Sequence, residues 1–382
     1  MKIAVVTGSR SEYGLLRPII AEINKHPNLK LSLIVTGMHL SKQFGYTVRD
    51  IVNDGFKIDA KIPISLEKDS GDAMAKSTGE LITKIVGVLR KINPDIVLIL
   101  GDRAEILAVA VACVYMNIPI AHVQGGDRSV GGHLDDYVRH AIVKLSHIHF
   151  EATKKCAERV IRMGEEKERV HVVGSPALDA ILHEKFTIKE KLSRKYGLDL
   201  NKPIILTVQN PVTTEISKAD KQIQETMEAL IELKLQSVTI YPNADAGGRR
   251  MIKKIRKYAK YSFIKIYKSL PHEDYLGLMN FADVLLGNST SGIIEAPSFH
   301  LPAVNIGTRQ AGRERSTNVI DVGYNKDEIV EAVKKALYNK RFRAKIKKCK
   351  NPYGDGKASK RIVEILSKIR LDQKLLQKKI TY

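Results

Sequence analysis

The sequence has no tryptophan, only 6% aromatic residues and three cysteines in 382 positions. Cys113, Cys156 and Cys349 are odd in number, far apart and in no metal-ligand spacing. That excludes a disulfide framework and a thiolate metal site, and it fits a reducing cytoplasm. No apolar run reaches membrane-spanning length: the longest, 106–121, is interrupted by Asn117 and Pro119. The opening residues, Met1-Lys-Ile-Ala-Val-Val, have a strand's length and no secretory apolar segment. No repeat of solenoid period is present. Acidic residues are the scarcer charge, 42 against 63 Lys and Arg, for a formal net charge of +21. Such a surplus can serve nucleic acid, an anionic membrane or an anionic substrate. The lysines are spread through helical patterns, densest at 249–260 and 341–350 and in the last helix, with no aromatic-interleaved motif or recognition helix beside them. Lys-rich helices poor in aromatics also describe a heat-adapted surface. No nucleic-acid or membrane partner is therefore expected.

What is present is a chain 43% hydrophobic and 27% charged, globular in composition and long enough for two domains. Strand and helix patterns alternate throughout, which implies parallel sheets with crossover helices. The first series of buried strands is read at 2–6, 31–35, 95–100, 118–123, 147–150 and 170–173. Residues 51–63 read as irregular or edge strand, and 15–24 and 70–92 as helices. A polar Lys/Glu-rich stretch near 180–202 separates a second series at 203–208, 237–241, 262–267, 284–286 and 303–306. A long basic helix covers 359–379. The fold class is α/β, two Rossmann-like parallel-sheet domains facing a cleft: 1–180, then 181–358, with a terminal helix at 359–382.

Chemistry concentrates in 100–140. In an open α/β sheet ligands bind beyond the carboxyl ends of the strands. One strand ends in Gly101-Asp102-Arg103, the next in Gln124-Gly125-Gly126-Asp127. After Gly131-Gly132 come His133, Asp135, Asp136, Arg139 and His140, with Asp136, Arg139 and His140 on one helix face by their spacing. His39 also follows a strand. The turn Thr7-Gly8-Ser9-Arg10 offers backbone to an anion, with Arg10 in reach of a phosphate. In the second half, Gly287-Asn288-Ser289-Thr290-Ser291-Gly292 opens a helix with free amide donors suited to a diphosphate. Glu295, one turn on, can accept from ribose hydroxyls. Arg309 brings a cation to the same edge.

The stretches GDRAEILAVAVACVYMNIPIAHVQGGD and LDDYVRHAIVKLSHIHFEAT, with TGSRSEYGLL, YPNADAGGRRM and GNSTSGIIEAPSF…PAVNIGTRQAGRE, resemble the UDP-N-acetylglucosamine 2-epimerase family, in particular its hydrolysing branch. The likeness spans nearly the whole chain. It implies a GT-B-like architecture, a last helix packed back on the first domain, a cytoplasmic homodimer or homotetramer, a UDP-sugar substrate and neither cofactor nor metal. The implied reaction eliminates UDP across C1–C2 after a base removes the C2 proton, then adds water to the glycal to give N-acetylmannosamine or a 4-acetamido analogue. Carried over by motif, Asp102 and Asp135 are catalytic, with Asp136 beside them; His39 is a further catalytic candidate from its place at a strand's carboxyl end. Arg10, Ser289, Thr290 and Arg309 hold phosphate and Glu295 holds ribose; Arg103, His140, Asn210, Asn243, Ser291 and Gly292 are further substrate-binding candidates. Two positions depart from the pattern. Gln124 stands where close hydrolysing relatives carry Glu, and Asn210 where a His-Pro pair is usual. A neutral amide is no base, which leaves Asp127 or Asp136 for that role or an altered chemistry. The alternatives are a non-hydrolysing 2-epimerase, a GT-B glycosyltransferase and a non-catalytic nucleotide-sugar binder.

Overall fold

The computed structural model describes residues 1–42, 45–66, 71–128, 134–183, 186–212, 214–243 and 247–382, except the side chains of Leu134, Asp135 and His183. The chain forms two compact units: Met1–Arg128, Gly132–Leu182 and Tyr353–Tyr382 make the first, and His183–Pro352 the bulk of the second.

The first sheet contains β1 (Lys2–Thr7), β2 (Lys30–Thr36), β3 (Ile58–Ile62), β4 (Ile96–Leu100), β5 (Ile120–Val123), β6 (Ile148–Glu151) and β7 (Val170–Val172). They lie in the order β3-β2-β1-β4-β5-β6-β7, every pair parallel. A sheet covered on both faces needs apolar side chains in both directions. On β1, Ile3 and Val5 enter one core and Ala4 and Val6 the other; on β4, Leu98 and Leu100 oppose Val97 and Ile99. That is the two-residue strand period feeding two helix layers. The second sheet contains β8 (Ile204–Val208), β9 (Gln236–Ile240), β10 (Ile264–Tyr267), β11 (Val284–Gly287), β12 (Ala303–Ile306) and β13 (Val319–Val322), in the order β10-β9-β8-β11-β12-β13. Strand order reverses between β1 and β4 and again between β8 and β11, and such switch points open a crevice beyond the strand ends.

The edge strand expected within 51–63 is there as β3, preceded by the end of a helix, Val48–Asn53. Two other points differ from expectation. β13 was not anticipated, because an exposed Asp321 interrupts a short, half-exposed edge strand. The single terminal helix is two: Ala358–Lys368 and the one-turn Gln373–Leu376. Ile369 is extended, and Asp372 caps the second helix by accepting from the Leu375 N–H at 2.9 Å. Arg169 donates to the carbonyls of Lys374 (2.6 Å) and Leu375 (2.8 Å), satisfying a tail that has left the helix. The helix Ala358–Lys368 buries Ile362, Val363 and Leu366 in the core shared with Leu16, Ile19 and Ile23 of the helix Arg10–Lys25.

Candidate functional site

In the first unit the site is built around one arginine. The helix Leu134–Leu145 begins just after the 100–128 loops and carries Asp136 and Arg139 one turn apart. Arg139, only 5% exposed, donates to Asp136 Oδ1 at 2.8 Å, to the Asp127 carbonyl at 2.9 Å and to Asp102 Oδ2. A buried guanidinium needs several acceptors, and a planar fork serves carboxylates from separate elements at once. Arg139 thereby ties the carboxylates of Asp102, past β4, and Asp136, on the helix, to the Asp127 backbone past β5. The Asp135 side chain and residues 131–133 lie outside the described residues. His140 is half-buried, and its Nε2 has no partner.

Other expected residues sit apart from that bridge. Gln124, with φ of +64°, is 9% exposed and donates to Ser175 Oγ at 3.1 Å. His39 is fully buried between Thr7 (3.1 Å) and Thr47 (2.7 Å), and burial pulls its imidazole down to about 4, so it is neutral. Arg103 donates to Glu105 at 3.0 Å and to Met38 Sδ at 3.4 Å, while Arg10 is exposed beside Asp50. The first turn differs from expectation: the Gly8 N–H is taken by the chain's own Glu12 at 2.9 Å, which also accepts from Ser9 Oγ at 3.2 Å. Burial pushes the Glu12 carboxyl up to about 7, with Arg103 opposing and Glu105 adding to the rise.

Sequence reasoning passed over Glu12, Glu105, His122 and Glu151. His122 is fully buried beside the Asp102 turn, with Nε2 2.7 Å from the Gly101 carbonyl, and burial lowers it to about 3. The Ser9-x-x-Glu12 spacing is a capping-box signal that could have found Glu12. Glu151 ends a buried strand as Asp102 follows one.

The second unit's site lies at the β8/β11 switch point. Gly287 has φ of +129°, and a Cβ there would fall 2.1 Å from the Val208 carbonyl, so only glycine lets the strands close. The next residue, Asn288, 1% exposed, accepts from the Asn210 N–H at 2.6 Å and donates to its carbonyl at 2.8 Å. Asn210 Oδ1 accepts from the Asn243 N–H at 2.9 Å. Arg309 (3.2 Å) and Gln310 (2.9 Å) donate to the Asn288 carbonyl, and Gln310 reaches Thr290 Oγ1 at 3.4 Å. Ser289 Oγ accepts from the Ser291 N–H at 3.3 Å. The helix expected after this turn is a single turn, Ser291–Ile294, with Glu295 as its C-terminal cap residue. So short a helix has little dipole; the hydroxyls and Arg309 are the anion-favouring groups. Burial raises the Glu295 carboxyl, against Ser291 and Arg313, and its Oε2 is buried without a partner. Residues 213 and 244–246 lie outside the described residues.

Among the described residues no helix is long and apolar enough to cross a membrane, and no cluster of metal-ligand type occurs. Compared with known proteins, the chain is 41% identical over 377 residues, 99% of it and 98% of the relative, to the UDP-N,N'-diacetylbacillosamine 2-epimerase (hydrolyzing) of Legionella pneumophila subsp. pneumophila. It is 37% identical over 327 residues, 85% of each, to the GDP/UDP-N,N'-diacetylbacillosamine 2-epimerase (hydrolyzing) of Campylobacter jejuni. The crystal structure of UDP-GlcNAc 2-epimerase from Neisseria meningitidis bound to UDP-GlcNAc superimposes with a TM-score of 0.84 at 22% identity, covering 97% of this chain and 100% of that one. The family described as UDP-N-acetylglucosamine 2-epimerase matches residues 21–367. With two parallel sheets of the same strand order and relatives over nearly its full length, the chain belongs to the UDP-N-acetylglucosamine 2-epimerase family.

Proposed function

We propose that the chain is a hydrolysing 2-epimerase of UDP-linked 2-acetamido sugars, releasing UDP and N-acetylmannosamine or its 4-acetamido analogue. The observation that carries this reading is Arg139 joining the carboxylates of Asp102, past one strand end, and Asp136, on the next helix, to the backbone carbonyl of Asp127, past the neighbouring strand end. Its support from outside the chain is the word "hydrolyzing" in the names of two relatives at 41% and 37% identity.

In this reaction a carboxylate takes the C2 proton, the C2–H electron pair forms the C1–C2 double bond, and the C1–O bond breaks to release UDP. Water then adds at C1 while an acid on the other face returns a proton to C2. A base and an acid on opposite sides of the ring are required, each worth about 10²–10⁴-fold. Asp102 and Asp127 at neighbouring strand ends, with Asp135 and Asp136 on the next helix, supply candidates for both. Arg139 pairs with both Asp102 and Asp136. In the second unit Ser289, Thr290, Ser291 and Arg309 are assigned to the diphosphate, Glu295 to ribose, and Asn210 and Asn243 to the rest of the substrate. The working form is taken as a cytoplasmic homodimer or homotetramer.

The test is to incubate the protein with UDP-N-acetylglucosamine and, separately, UDP-N,N'-diacetylbacillosamine, following products by NMR. Release of UDP with a free manno-configured sugar is the expected outcome. A UDP-sugar epimerised at C2 with its diphosphate intact would assign the non-hydrolysing reaction instead.

A further inference from the structure

The turn that ends in Asp127 is held from below by side chains to which neither the family resemblance nor the proposed reaction gives a role. β6 ends in Glu151, which has no solvent exposure, and a buried carboxyl must be bonded or neutral. Its Oε2 accepts from the Gly126 N–H at 2.8 Å; its Oε1 is buried without a partner. Burial above all, and Asp127 nearby, push this carboxyl up to about 8, against the Gly126 N–H and Arg159. Two residues on, Thr153 caps the helix Lys154–Arg162 by accepting from the Cys156 N–H at 3.2 Å, which fixes Cys156 in the first turn. The Cys156 thiol donates to Asp127 Oδ1 at 3.2 Å. Burial first and Asp127 second push that thiol up to about 12, so it stays a donor. Arg159, a turn further, donates to the Gly126 carbonyl. A Cβ on Gly126 would meet the Cys156 carbonyl at 2.3 Å and Glu151 Oε2 at 2.7 Å, so the turn sits directly on this support.

We propose that Cys156 and Glu151 are positioning residues for Asp127, fixing its carboxylate in one orientation at the end of β5 without neutralising it. This rests on the reading of Asp127 as a proton-transfer group in a UDP-sugar epimerase. A thiol is a weak donor, so it orients the carboxylate while leaving the anion available. Glu151 supports the turn as a neutral acid, so no second negative charge stands beside Asp127. The charged and titratable groups facing Glu151 are Asp127 from the β5 turn and Arg159 and Cys156 from the helix. The chain after β7 presents backbone, the Val173 and Gly174 N–H groups on the Glu151 carbonyl.

The protein is assayed with both UDP-sugars. Cys156→Ala should lower kcat about tenfold with KM within about twofold, because only the orientation of a reacting group is loosened. Cys156→Ser restores a donor and should recover kcat to within about threefold. In the wild type kcat should decline through about pH 8 as Glu151 ionises; Glu151→Gln cannot ionise and should lack that decline. A purely structural role would lower thermal stability and leave the KM-against-kcat split and the pH profile unmoved. An activity-independent readout is the Cys156 S–H stretch in the infrared, assigned by its loss in Cys156→Ala. Asp127→Asn replaces a carboxylate acceptor by an amide and should shift that band to higher frequency. Unchanged kcat in Cys156→Ala, or an S–H band indifferent to Asp127→Asn, overturns the proposal. Absence of UDP release from either sugar by the wild type would overturn the proposed function instead, and the S–H band would still decide the contact.

Discussion

The two sheets share one strand order, with the first extended by β7, yet their switch points carry different chemistry. At the β1/β4 edge the chain places Glu12, Arg103 and Glu105, with Asp102 on Arg139 close by. At the β8/β11 edge it places two asparagines, Asn288 bonded to the Asn210 backbone, a run of hydroxyls and the cation Arg309. Acidic groups suit proton transfer; neutral amides and hydroxyls suit a ligand that brings its own negative charge. The same scaffold thus sorts two tasks by the residues set at the carboxyl end of each strand.

The largest effect expected from that division is on turnover. Asp102→Asn should reduce kcat by about 10²–10⁴-fold while UDP affinity stays within about tenfold, since it removes a proton carrier and no phosphate ligand. Loss of UDP affinity in step with kcat would dissolve the distinction between the edges. Next comes Arg139→Ala, which leaves Asp102 and Asp136 without their shared, buried counter-ion. Chemical unfolding should register a loss of about 3–5 kcal/mol, the range for breaking a buried pair. The corresponding truncation of Arg309 should cost far less stability.

A pH experiment sharpens the comparison further. Glu12 titrates near 4.5 when unfolded and near 7 when folded. Between these values the folded state binds the extra proton, so Glu12's contribution is full below about 4.5 and is lost as pH rises to about 7. The difference in stability between wild type and Glu12→Gln should therefore change across that window, by on the order of 3 kcal/mol at most, and level off above it. A flat difference would mean that Glu12 is already ionised in the fold. The smallest effect is at the other edge: Arg309→Ala should weaken UDP about tenfold, the loss of one charge-assisted contact, with kcat at saturating substrate little altered. A collapse of kcat with unchanged UDP affinity would place Arg309 on the wrong side of the comparison.

How far the sequence could be read depended on distance along it. Asp102 was legible because a five-residue apolar strand stops beside it, and the Asp136–Arg139 pair because i and i+3 share a helix face. The support beneath Asp127 was not, since Glu151 reaches Gly126 from 25 residues away and Cys156 reaches Asp127 from 29. The first turn misled, because a capping glutamate three residues past Ser9 fills the amide an anion was expected to take. The break in the terminal helix depends on Arg169, more than 200 residues upstream of the carbonyls it satisfies. Helical periodicity carries no trace of such a partner.

The central claim is that the carboxylate edge of the first unit opens a C2–H bond. It is tested most directly by running the reaction with UDP-N-acetylglucosamine in deuterated water and reading C2 of the released sugar by NMR. A free 2-acetamidomannose carrying deuterium at C2 is the result the elimination requires, because the removed proton exchanges and a solvent deuteron returns. A free sugar that keeps its original hydrogen at C2 would contradict the account.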